Sequence, residues 1–316
     1  MLLNLGRQLS EAGVMGINKR NGEYISRYND RKNYPLVDDK LKTKILAEQA
    51  GIPVTELYGV IEAEGQIRTL DKVLSGHTDF AIKPAQGSGG DGIEVIVGRT
   101  RDLFKKANGL IISEDQLKFH ISNILSGLFS LGGHEDQAII EYRVKFDEIF
   151  DAISYQGVPD IRIIVYKGFP VMAMIRLPTY LSGGKANLHQ GAIGVGIDLA
   201  NGRTLTAVWK NSVISEHPDT RHPVTGFQIP NWEQLLNIAA RCYELTDLGY
   251  LGVDIVLDRT KGPLVLEMNA RPGLNIQIAN RMGLLHRLRF IDANAIKMGS
   301  YMDRVSFSRR ILPRIQ

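Results

Sequence analysis

The sequence predicts an α+β fold with antiparallel sheets, and two hairpin patterns carry most of that prediction. The apolar runs 161–166 and 171–177 are divided only by a short turn that contains glycine and proline, which is typical of a β-hairpin. The runs 251–257 and 264–269 are divided in the same way. A doubly wound parallel fold would need strands and helices to alternate more regularly, so the pattern favours paired antiparallel strands.

The other segments alternate between helical spacing and short apolar runs. The periodicity predicts helices at 38–50, 115–130, 232–248 and 275–298. Apolar runs bounded by turn residues predict further strands at 79–83, 92–97 and 137–141. Strand pairs with helices between them again favour an α+β architecture.

Composition narrows the functional classes. The chain has 316 residues, 44% of them hydrophobic and 23% charged, as in an ordinary globular protein of two or three lobes. Its single cysteine, Cys242, excludes an internal disulfide and a cysteine-rich zinc site, and it fits a reducing cytoplasm. No apolar run approaches the roughly 18–20 residues of a membrane span. No basic module with interleaved aromatic residues is present, so we expect no nucleic-acid partner.

The C-terminal part of the chain is basic. From residue 281 onward there are eight lysines or arginines and two acidic residues. A solvated helix face followed by a tail is one interpretation, and a dock for an acidic substrate or partner is the other. A homodimer that uses the short N-terminus or this basic segment is a further option.

A glycine-rich loop follows the predicted strand 79–83. Residues 83–92 read Lys-Pro-Ala-Gln-Gly-Ser-Gly-Gly-Asp-Gly. Glycines allow positive φ and a close approach of the backbone, so that successive N–H groups can surround phosphate oxygens. Lys83 at the strand end would add a positive charge. The loop lacks the Walker sequence, and a merely flexible hairpin loop is the competing interpretation.

The second hairpin gives the strongest chemical signal. Asp254 interrupts an otherwise apolar strand, and Glu267 and Asn269, two residues apart, share one face of the partner strand. Burial of ionised carboxylates is costly unless they are paired or bind a metal. Three oxygen ligands on one sheet face suit Mg²⁺, which takes one or two protein carboxylates together with substrate phosphates. A solvated outer face of the hairpin is the alternative.

The first hairpin carries charges of both signs. Asp160 and Arg162 share one face of their strand, and Arg176 lies late in the partner strand. Guanidinium groups in such positions commonly hold phosphate or carboxylate in a bidentate manner, whereas a structural salt bridge from Asp160 to one arginine is the other interpretation. The polar loop that follows contains Asn187 and His189, which would contact a γ-phosphate or substrate unless they are simply exposed.

Taken in order along residues 36–290, these motifs resemble the ATP-grasp enzymes. They are similar to the ribosomal-protein glutamate ligase and tubulin–tyrosine ligase side of that superfamily, and more similar still to the alpha-L-glutamate ligase-like proteins. The resembling motifs are Asp38-Asp39-Lys40-Leu41-Lys42-Thr43-Lys44, Lys83-Pro84 with the glycine loop, Glu141-Tyr142, Asp160-Ile161-Arg162, Asn187-Leu188-His189, Gly252-Val253-Asp254 and Glu267-Met268-Asn269-Ala270-Arg271-Pro272-Gly273. Each motif alone is nonspecific, but the seven in the family's order are specific.

The resemblance implies an ATP-grasp fold of two α+β lobes whose antiparallel sheets enclose the nucleotide. The residues implied in nucleotide binding are Lys40, Lys83, Gly87, Ser88, Gly89, Gly90, Glu141, Tyr142 and Asp160. The two lysines would hold the α- and β-phosphates, Glu141 would accept from the adenine amino group, and Asp160 would contact the ribose. The connector 143–159 is longer than usual in the family, so the ribose ligand could instead be Asp147, Glu148 or Asp151.

The resemblance also implies the reaction. ATP would phosphorylate a carboxylate, an amine would attack the acyl phosphate, and phosphate would leave, as in an ADP-forming carboxylate–amine ligase that uses Mg²⁺ or Mn²⁺. The carboxylate would belong to a small molecule, a peptide or a protein tail, and the amine to an amino acid such as glutamate. Catalytic roles would fall to Arg162, Arg176, Asn187, His189 and Arg271, and metal binding to Asp254, Glu267 and Asn269. A kinase-like phosphotransferase and a non-catalytic ATP-binding module are the alternatives.

The expected organisation has four parts. A short N-terminal segment, 1–37, stands where the family usually carries a pre-ATP-grasp domain of about a hundred residues. Residues 38–142 would form the small lobe with the lid loop, and 143–300 the large lobe with the metal site. Residues 301–316 would form a basic tail.

Overall fold

The computed structural model describes residues 2–87, 89–130, 132–294 and 299–315. Within them the helices are α1 Leu2–Glu11, α2 Ile17–Lys19, α3 Ser26–Tyr28, α4 Pro35–Asp38, α5 Lys40–Gln49, α6 Leu70–Val73, α7 Glu114–Leu125, α8 Trp232–Thr246, α9 Ile276–Asn280, α10 Leu285–Ala293 and α11 Tyr301–Arg310. The strands are β1 Leu57–Ile61, β2 Phe80–Pro84, β3 Glu94–Thr100, β4 Leu103–Lys106, β5 Ile111–Ser113, β6 Ala138–Glu141, β7 Asp160–Tyr166, β8 Phe169–Leu177, β9 Ile193–Ile197, β10 Thr204–Trp209, β11 Ser212–Ile214, β12 Tyr250–Asp258 and β13 Gly262–Asn269.

The chain divides into two compact units. The large unit comprises the described residues of Met1–Asp38, Leu46–Pro53 and Phe146–Gln316. The small unit comprises Asp39–Ile45 and Val54–Lys145. The N-terminal and C-terminal segments, which the sequence suggested as separate parts, therefore both lie in the large unit.

A seven-stranded sheet forms the centre of the large unit, in the order β11-β10-β9-β8-β7-β12-β13, and every neighbouring pair is antiparallel. Both predicted hairpins are present, as β7–β8 and β12–β13, and they join each other through β7 and β12. Helix α8 packs against β7, β8, β12 and β13, and α9 packs against β8, β9 and β10. The central strands are consequently buried over almost their whole length.

A second antiparallel sheet, of six strands in the order β1-β6-β2-β3-β4-β5, forms the small unit. Helix α7 packs against this sheet, and a capping box between Ser113 and Gln116 fixes its first turn. The rings of Phe80 and Phe104 meet edge to face in the core, with their centroids 5.9 Å apart. Two antiparallel sheets with helices confirm the predicted α+β class.

Two of the predicted helices end early because the backbone turns. The helix predicted at 115–130 ends at Leu125, since Gly127 adopts a φ of 82° and a Cβ at this position would meet the carbonyl oxygen of His134 at 2.2 Å. The helix predicted at 275–298 is divided into α9 and α10 at Arg281, which has a φ of 49°. Residues 295–298 lie outside the described part of the chain.

The segment expected to be a basic tail forms helix α11 and packs against α8 and β8. Arg304 donates to Glu244 at 2.5 Å, and Arg309 forms an ion pair with Glu233, so two of its positive charges are matched by α8. Arg287 of α10 is buried, donates to the carbonyl oxygen of residue 171 at 2.7 Å, and has its pKa lowered to about 10 by burial. Part of the basic charge therefore holds the large unit together.

The N-terminal segment supports the β12–β13 hairpin from within the large unit. The side chain of Asn29, which is 3% exposed, donates to the carbonyl oxygens of Tyr250 and Ala270 at 2.8 and 3.0 Å and accepts from the Tyr250 N–H at 2.8 Å. Arg20 donates to the carbonyl oxygen of Pro272 at 2.7 Å. These bonds fix the start of β12 and the turn after β13.

Candidate active site

Two buried aspartates and two partly buried arginines form an ion-pair network on β7, β8 and β12. Arg162 donates from Nε and Nη2 to the two carboxylate oxygens of Asp254, at 2.7 and 2.6 Å. Arg176 donates from Nη2 to Asp254 Oδ2 at 2.8 Å and from Nε to Asp160 Oδ1 at 2.5 Å, and its Nη2 also contacts Asp160 Oδ2. Asp160 is 7% exposed and Asp254 is 3% exposed. Each buried charge thus has a partner of opposite sign.

The strand register explains why these side chains meet. Asp160 lies opposite Arg176, and Arg162 lies opposite Asp254, in antiparallel pairs. Residues directly opposite each other share a face of the sheet, and so do residues two apart on one strand. On its other side Asp254 lies opposite Glu267. The network and Glu267 therefore belong to one face of the large sheet.

The two aspartates differ in acidity because their neighbours differ. Burial opposes the ionisation of Asp254, but the guanidinium groups of Arg162 and Arg176 together outweigh burial and lower its pKa to about 2. Burial raises the pKa of Asp160 to about 6, since Arg176 offsets burial only in part and the negative charge of Asp254 adds to it. Asp254 is accordingly the carboxylate that both arginines keep ionised.

The predicted metal residues Asp254, Glu267 and Asn269 share that face. Glu267 is half-buried, and its Oε1 atom accepts from Asn269 Nδ2 at 3.3 Å. Over the described ranges, no lysine or arginine forms an ion pair with Glu267. Glu267 therefore keeps acceptor capacity for a cation from solution, whereas Asp254 already accepts three hydrogen bonds.

The chemistry of this donor set fits Mg²⁺. Carboxylate and amide oxygens are hard ligands, and Mg²⁺ commonly binds through one or two carboxylates while substrate phosphates and water complete its coordination. The part of the chain that the structure describes contains no group of three or more histidine, cysteine, aspartate or glutamate side chains that could hold a metal alone. A cation here would thus depend on oxygens from a ligand. The metal assignment remains a prediction.

In the small unit, one buried glutamate is held by two lysines. Glu141 Oε1 pairs with Lys83 Nζ at 2.6 Å, and Glu141 Oε2 pairs with Lys44 Nζ at 2.7 Å. The hydroxyl of Thr55 donates to Glu141 Oε2 at 2.8 Å. Burial opposes the charge of Glu141, but the two lysines outweigh it and lower the pKa of this carboxyl below its usual value. The group carries two positive charges and one negative charge.

Sequence reasoning did not select Lys44 as a site residue. The signal was available, because Lys40 and Lys44 are four residues apart on one predicted helix and so lie on the same side of it. Register accounts for the rest of the group, since Ala81 of β2 lies opposite Glu141 of β6 and places Lys83, two residues on, beside it. The structure thus places Lys44 beside Glu141 and Lys83, two residues of the predicted nucleotide set.

The glycine loop has the backbone that its composition predicts. Gly89 and Gly90 adopt φ values of 68° and 80°, which disfavour other residues. Lys40 donates from Nζ to the carbonyl oxygen of Gly87. Asp136 accepts from the N–H of Gln86 at 3.0 Å and so fixes the start of the loop. Ser88 lies outside the described residues.

Three further predicted catalytic residues lie in turns of the large unit. Asn187 begins the 3₁₀ turn Leu188–Gln190, and its side chain accepts from the N–H of His189 at 3.0 Å. His189 is exposed. Arg271 is also exposed, donates to Asp38 at 3.1 Å, and lies 4.9 Å from the centre of the Tyr34 ring. These positions leave the catalytic roles of the three residues as predictions.

The predicted ribose and adenine ligands also remain predictions. Both oxygens of Asp160 are bound by Arg176, and Asp147 caps the 3₁₀ turn that follows it. Glu148 and Asp151 are exposed, although Glu148 pairs with an arginine. The N–H of Tyr142, next to the predicted adenine ligand, donates to the backbone at Glu56 at 2.9 Å. The exposed carboxylates are therefore the freer candidates for a ribose hydroxyl.

Comparisons with known proteins define the class. Residues 19–293 match the model of the sugar-transfer associated ATP-grasp family, and the chain belongs to that family. The predicted ATP-grasp fold is thereby confirmed. No curated protein matches the chain. No helix in the described ranges is long and apolar enough to cross a bilayer.

Solved structures similar to the chain are distant from it in sequence. They include the ATP-grasp ligase PsnB complexed with a minimal precursor, at 13% identity and a TM-score of 0.45, with 90% of this chain and 63% of that chain covered. D-alanine–D-alanine ligase from Bacillus anthracis complexed with ATP has 13% identity, a TM-score of 0.44, and coverage of 89% and 69%. D-cycloserine synthetase DcsG has 15% identity, a TM-score of 0.44, and coverage of 86% and 71%. The chain spans less than two thirds of the length of PsnB.

Proposed function

We propose that this chain is an ATP- and Mg²⁺-dependent ligase that joins a carboxylate to an amine through an acyl phosphate. The observation that carries the proposal is the ion-pair network of Arg162, Arg176 and Asp254 beside Glu267. Phosphoryl transfer requires mainly that the protein positions the reacting groups and neutralises their negative charge, and these residues can do both. Membership of an ATP-grasp family supports ATP as the phosphoryl donor.

The small unit would bind the nucleotide. Lys83 and Lys40 would contact its phosphates, and the N–H groups around Gly89 and Gly90 would hold phosphate oxygens. The positive φ values of these glycines support that role, because residues without a Cβ allow the backbone to approach phosphate closely. Glu141 would accept from the adenine amino group through the lone pairs that Lys44, Lys83 and Thr55 do not use.

The large unit would provide the charges for the reaction. A carboxylate oxygen of the substrate attacks the γ-phosphorus, and the bond from phosphorus to ADP breaks. Arg162 and Arg176, fixed by Asp254 and Asp160, hold the transferred group through their remaining N–H donors. Glu267, Asn269 and Asp254 would hold Mg²⁺, which supplies positive charge to the phosphate oxygens. The amine nitrogen then attacks the acyl carbon, the bond to phosphate breaks, and the surplus amine proton passes to solvent.

The substrates are proposed at the level of chemical class. The carboxylate belongs to a small molecule, a peptide or a protein tail, and the amine to an amino acid. Glutamate is the first amine to test, because of the resemblance to alpha-L-glutamate ligase-like proteins. The family is associated with sugar transfer, so sugar acids and amino sugars belong in the same panel.

A trapping assay tests this function. The protein is incubated with Mg·ATP, a panel of carboxylates and hydroxylamine, and ADP and hydroxamate are both measured. Equal amounts of ADP and hydroxamate support the ligase. ADP with a stable phosphorylated product would show a phosphotransferase instead, and tight ATP binding without ADP across the panel would show a binding module.

Two matched variants complete the assay. Glu267→Gln removes one charge from the proposed metal site and should abolish formation of both products. Glu233→Gln removes one charge from an ion pair at the surface between α8 and α11 and should leave the rates unchanged. Equal activity of the two variants would contradict the metal assignment.

A further inference from the structure

The buried lysine Lys44 has no role in the reaction described above. It is 5% exposed, lies on α5, and its Nζ atom contacts three oxygens in the small unit. These are the carbonyl oxygen of Thr55, the hydroxyl of Thr55 at 2.6 Å, and Glu141 Oε2 at 2.7 Å. A lysine that is held by three acceptors in the interior is expensive to bury and has little freedom to move toward a ligand.

The charges of the group do not balance. Lys44 and Lys83 are both within ion-pair distance of Glu141, so two cations share one anion. One lysine is enough to neutralise the carboxylate. The lysine with more contacts to fixed protein acceptors is Lys44, whereas Glu141 is the one ion-pair partner of Lys83 over the described ranges.

From this arrangement we infer that Lys44 is a positioning residue, which neutralises Glu141 and thereby leaves the charge of Lys83 for the phosphates of the nucleotide. Without Lys44, Lys83 would be the sole counter-ion of a buried carboxylate, and any turn toward phosphate would leave Glu141 uncompensated. Leaving a buried charge without a partner is strongly unfavourable. The inference rests on the proposed nucleotide site and concerns the small unit alone.

The inference predicts a specific change in ligand preference. A Lys44→Met variant keeps the aliphatic stem but removes the charge, so Lys83 should remain on Glu141. Affinity for ATP should fall at least about tenfold, because a charge-assisted contact to phosphate is lost. Affinity for adenosine, which has no phosphate, should change much less. A lysine with only a structural role would lower the melting temperature without changing the ratio of the two affinities.

A second variant restores the charge balance. In Lys44→Met/Glu141→Gln the carboxylate is neutral, so Lys83 no longer needs to compensate it. The double variant should recover most of the ratio of ATP to adenosine affinity that Lys44→Met loses. Lys44→Arg keeps the positive charge and should stay near the wild-type ratio. Lys83→Met should lower the ratio of ATP affinity to adenosine affinity, whether Glu141 is present or is replaced by glutamine.

Binding is measured by calorimetry with ATP and adenosine on the full chain, and each variant is first checked for a folded thermal transition. An unchanged ratio in Lys44→Met, or a double variant whose ratio is as low as that of Lys44→Met, would overturn the inference. The wild-type titration separates this outcome from failure of the proposed function. If the wild type does not bind ATP, the function fails; if it binds ATP and Lys44→Met binds equally well, only the role of Lys44 fails.

Discussion

Asp254 and Glu267 lie directly opposite each other on β12 and β13, but their surroundings differ. Asp254 is 3% exposed and accepts three hydrogen bonds from arginines. Glu267 is half-buried and accepts a 3.3 Å hydrogen bond from Asn269. One carboxylate is thus held by cations of the protein, while the other retains acceptor capacity. In the proposed metal site, Glu267 would therefore offer a cation more acceptor capacity than Asp254.

Neutralising these two carboxylates should change the stability of the large unit to very different extents. Asp254→Asn leaves two partly buried arginines with the buried Asp160 as their remaining anion, so the free energy of unfolding of the large unit should fall by about 3 kcal/mol. Glu267→Gln should change it by less than about 1 kcal/mol. Urea denaturation followed by tryptophan fluorescence measures this difference, because Trp209 and Trp232 both lie in the large unit. Equal losses of unfolding free energy in the two variants would contradict the conclusion that Asp254, and not Glu267, compensates the arginines.

Glu141 should contribute to acid denaturation of the small unit. Because its folded-state pKa lies below the usual 4.5, its stabilisation is present above pH 4.5 and is lost as pH falls through the folded-state pKa. Glu141→Gln should therefore flatten the fall in unfolding free energy below pH 4.5, as measured by hydrogen exchange in β2 and β6. The exposed Glu135→Gln is the matched control and should keep the wild-type slope. A steeper fall in unfolding free energy below pH 4.5 in Glu141→Gln would contradict the prediction.

Asn29→Ala should destabilise the β12–β13 hairpin. The substitution leaves the N–H and carbonyl of Tyr250 and the carbonyl of Ala270 without the side chain that satisfies them. Buried groups left unsatisfied cost about 1 to 3 kcal/mol each, so a loss of at least about 2 kcal/mol is expected in the same fluorescence assay. The exposed Asn201→Ala should cost less than about 1 kcal/mol. Similar losses of unfolding free energy in both variants would contradict the conclusion that Asn29 stabilises the hairpin.

Gly92 at the end of the glycine loop should not tolerate a side chain. Its φ is 73°, and a Cβ would meet the Phe129 ring at 2.5 Å. Gly92→Ala should lower the free energy of unfolding of the small unit by at least about 1 kcal/mol through strain and should weaken ATP binding. Gly98→Ala in β3 is the control, since a Cβ there meets nothing within 4 Å. Hydrogen exchange and calorimetry on both variants check this prediction, and equal stability of the two would contradict it.

The sequence predicts best what depends on local alternation. Both large-unit hairpins follow from runs of apolar residues around a short turn, and the shared face of Glu267 and Asn269 follows from the two-residue period. The strand β9 was not predicted, because two of its five residues are glycines, a composition typical of a loop. In the structure Gly194 and Gly196 lie against α9, where a Cβ on Gly196 would meet the carbonyl oxygen of Ala279 at 2.6 Å. The glycines reflect a close helix–sheet contact that a local pattern cannot reveal.

Contacts between distant parts of the chain account for two further omissions, the roles of Asn29 and Lys44. Asn29 and Tyr250 are 221 residues apart, and Lys44 and Glu141 are 97 residues apart, so no local period connects them. The sequence identified Asp160, Arg162, Arg176 and Asp254 as candidates but could not choose between a salt bridge and a phosphate clamp. The structure shows that Arg176 contacts both aspartates and that Arg162 contacts Asp254, because strand register places all four on one face.

Transfer of oxygen isotope from the carboxylate to phosphate tests the central claim most directly. A carboxylate that yields hydroxamate in the panel is labelled with ¹⁸O at both oxygens and incubated with Mg·ATP and its amine partner. An acyl phosphate releases one carboxylate oxygen with the phosphate, so the account predicts one ¹⁸O in inorganic phosphate for each ADP formed and one retained in the amide. ADP formation with unlabelled phosphate would contradict the account, because no bond from the carboxylate to phosphorus would then have formed.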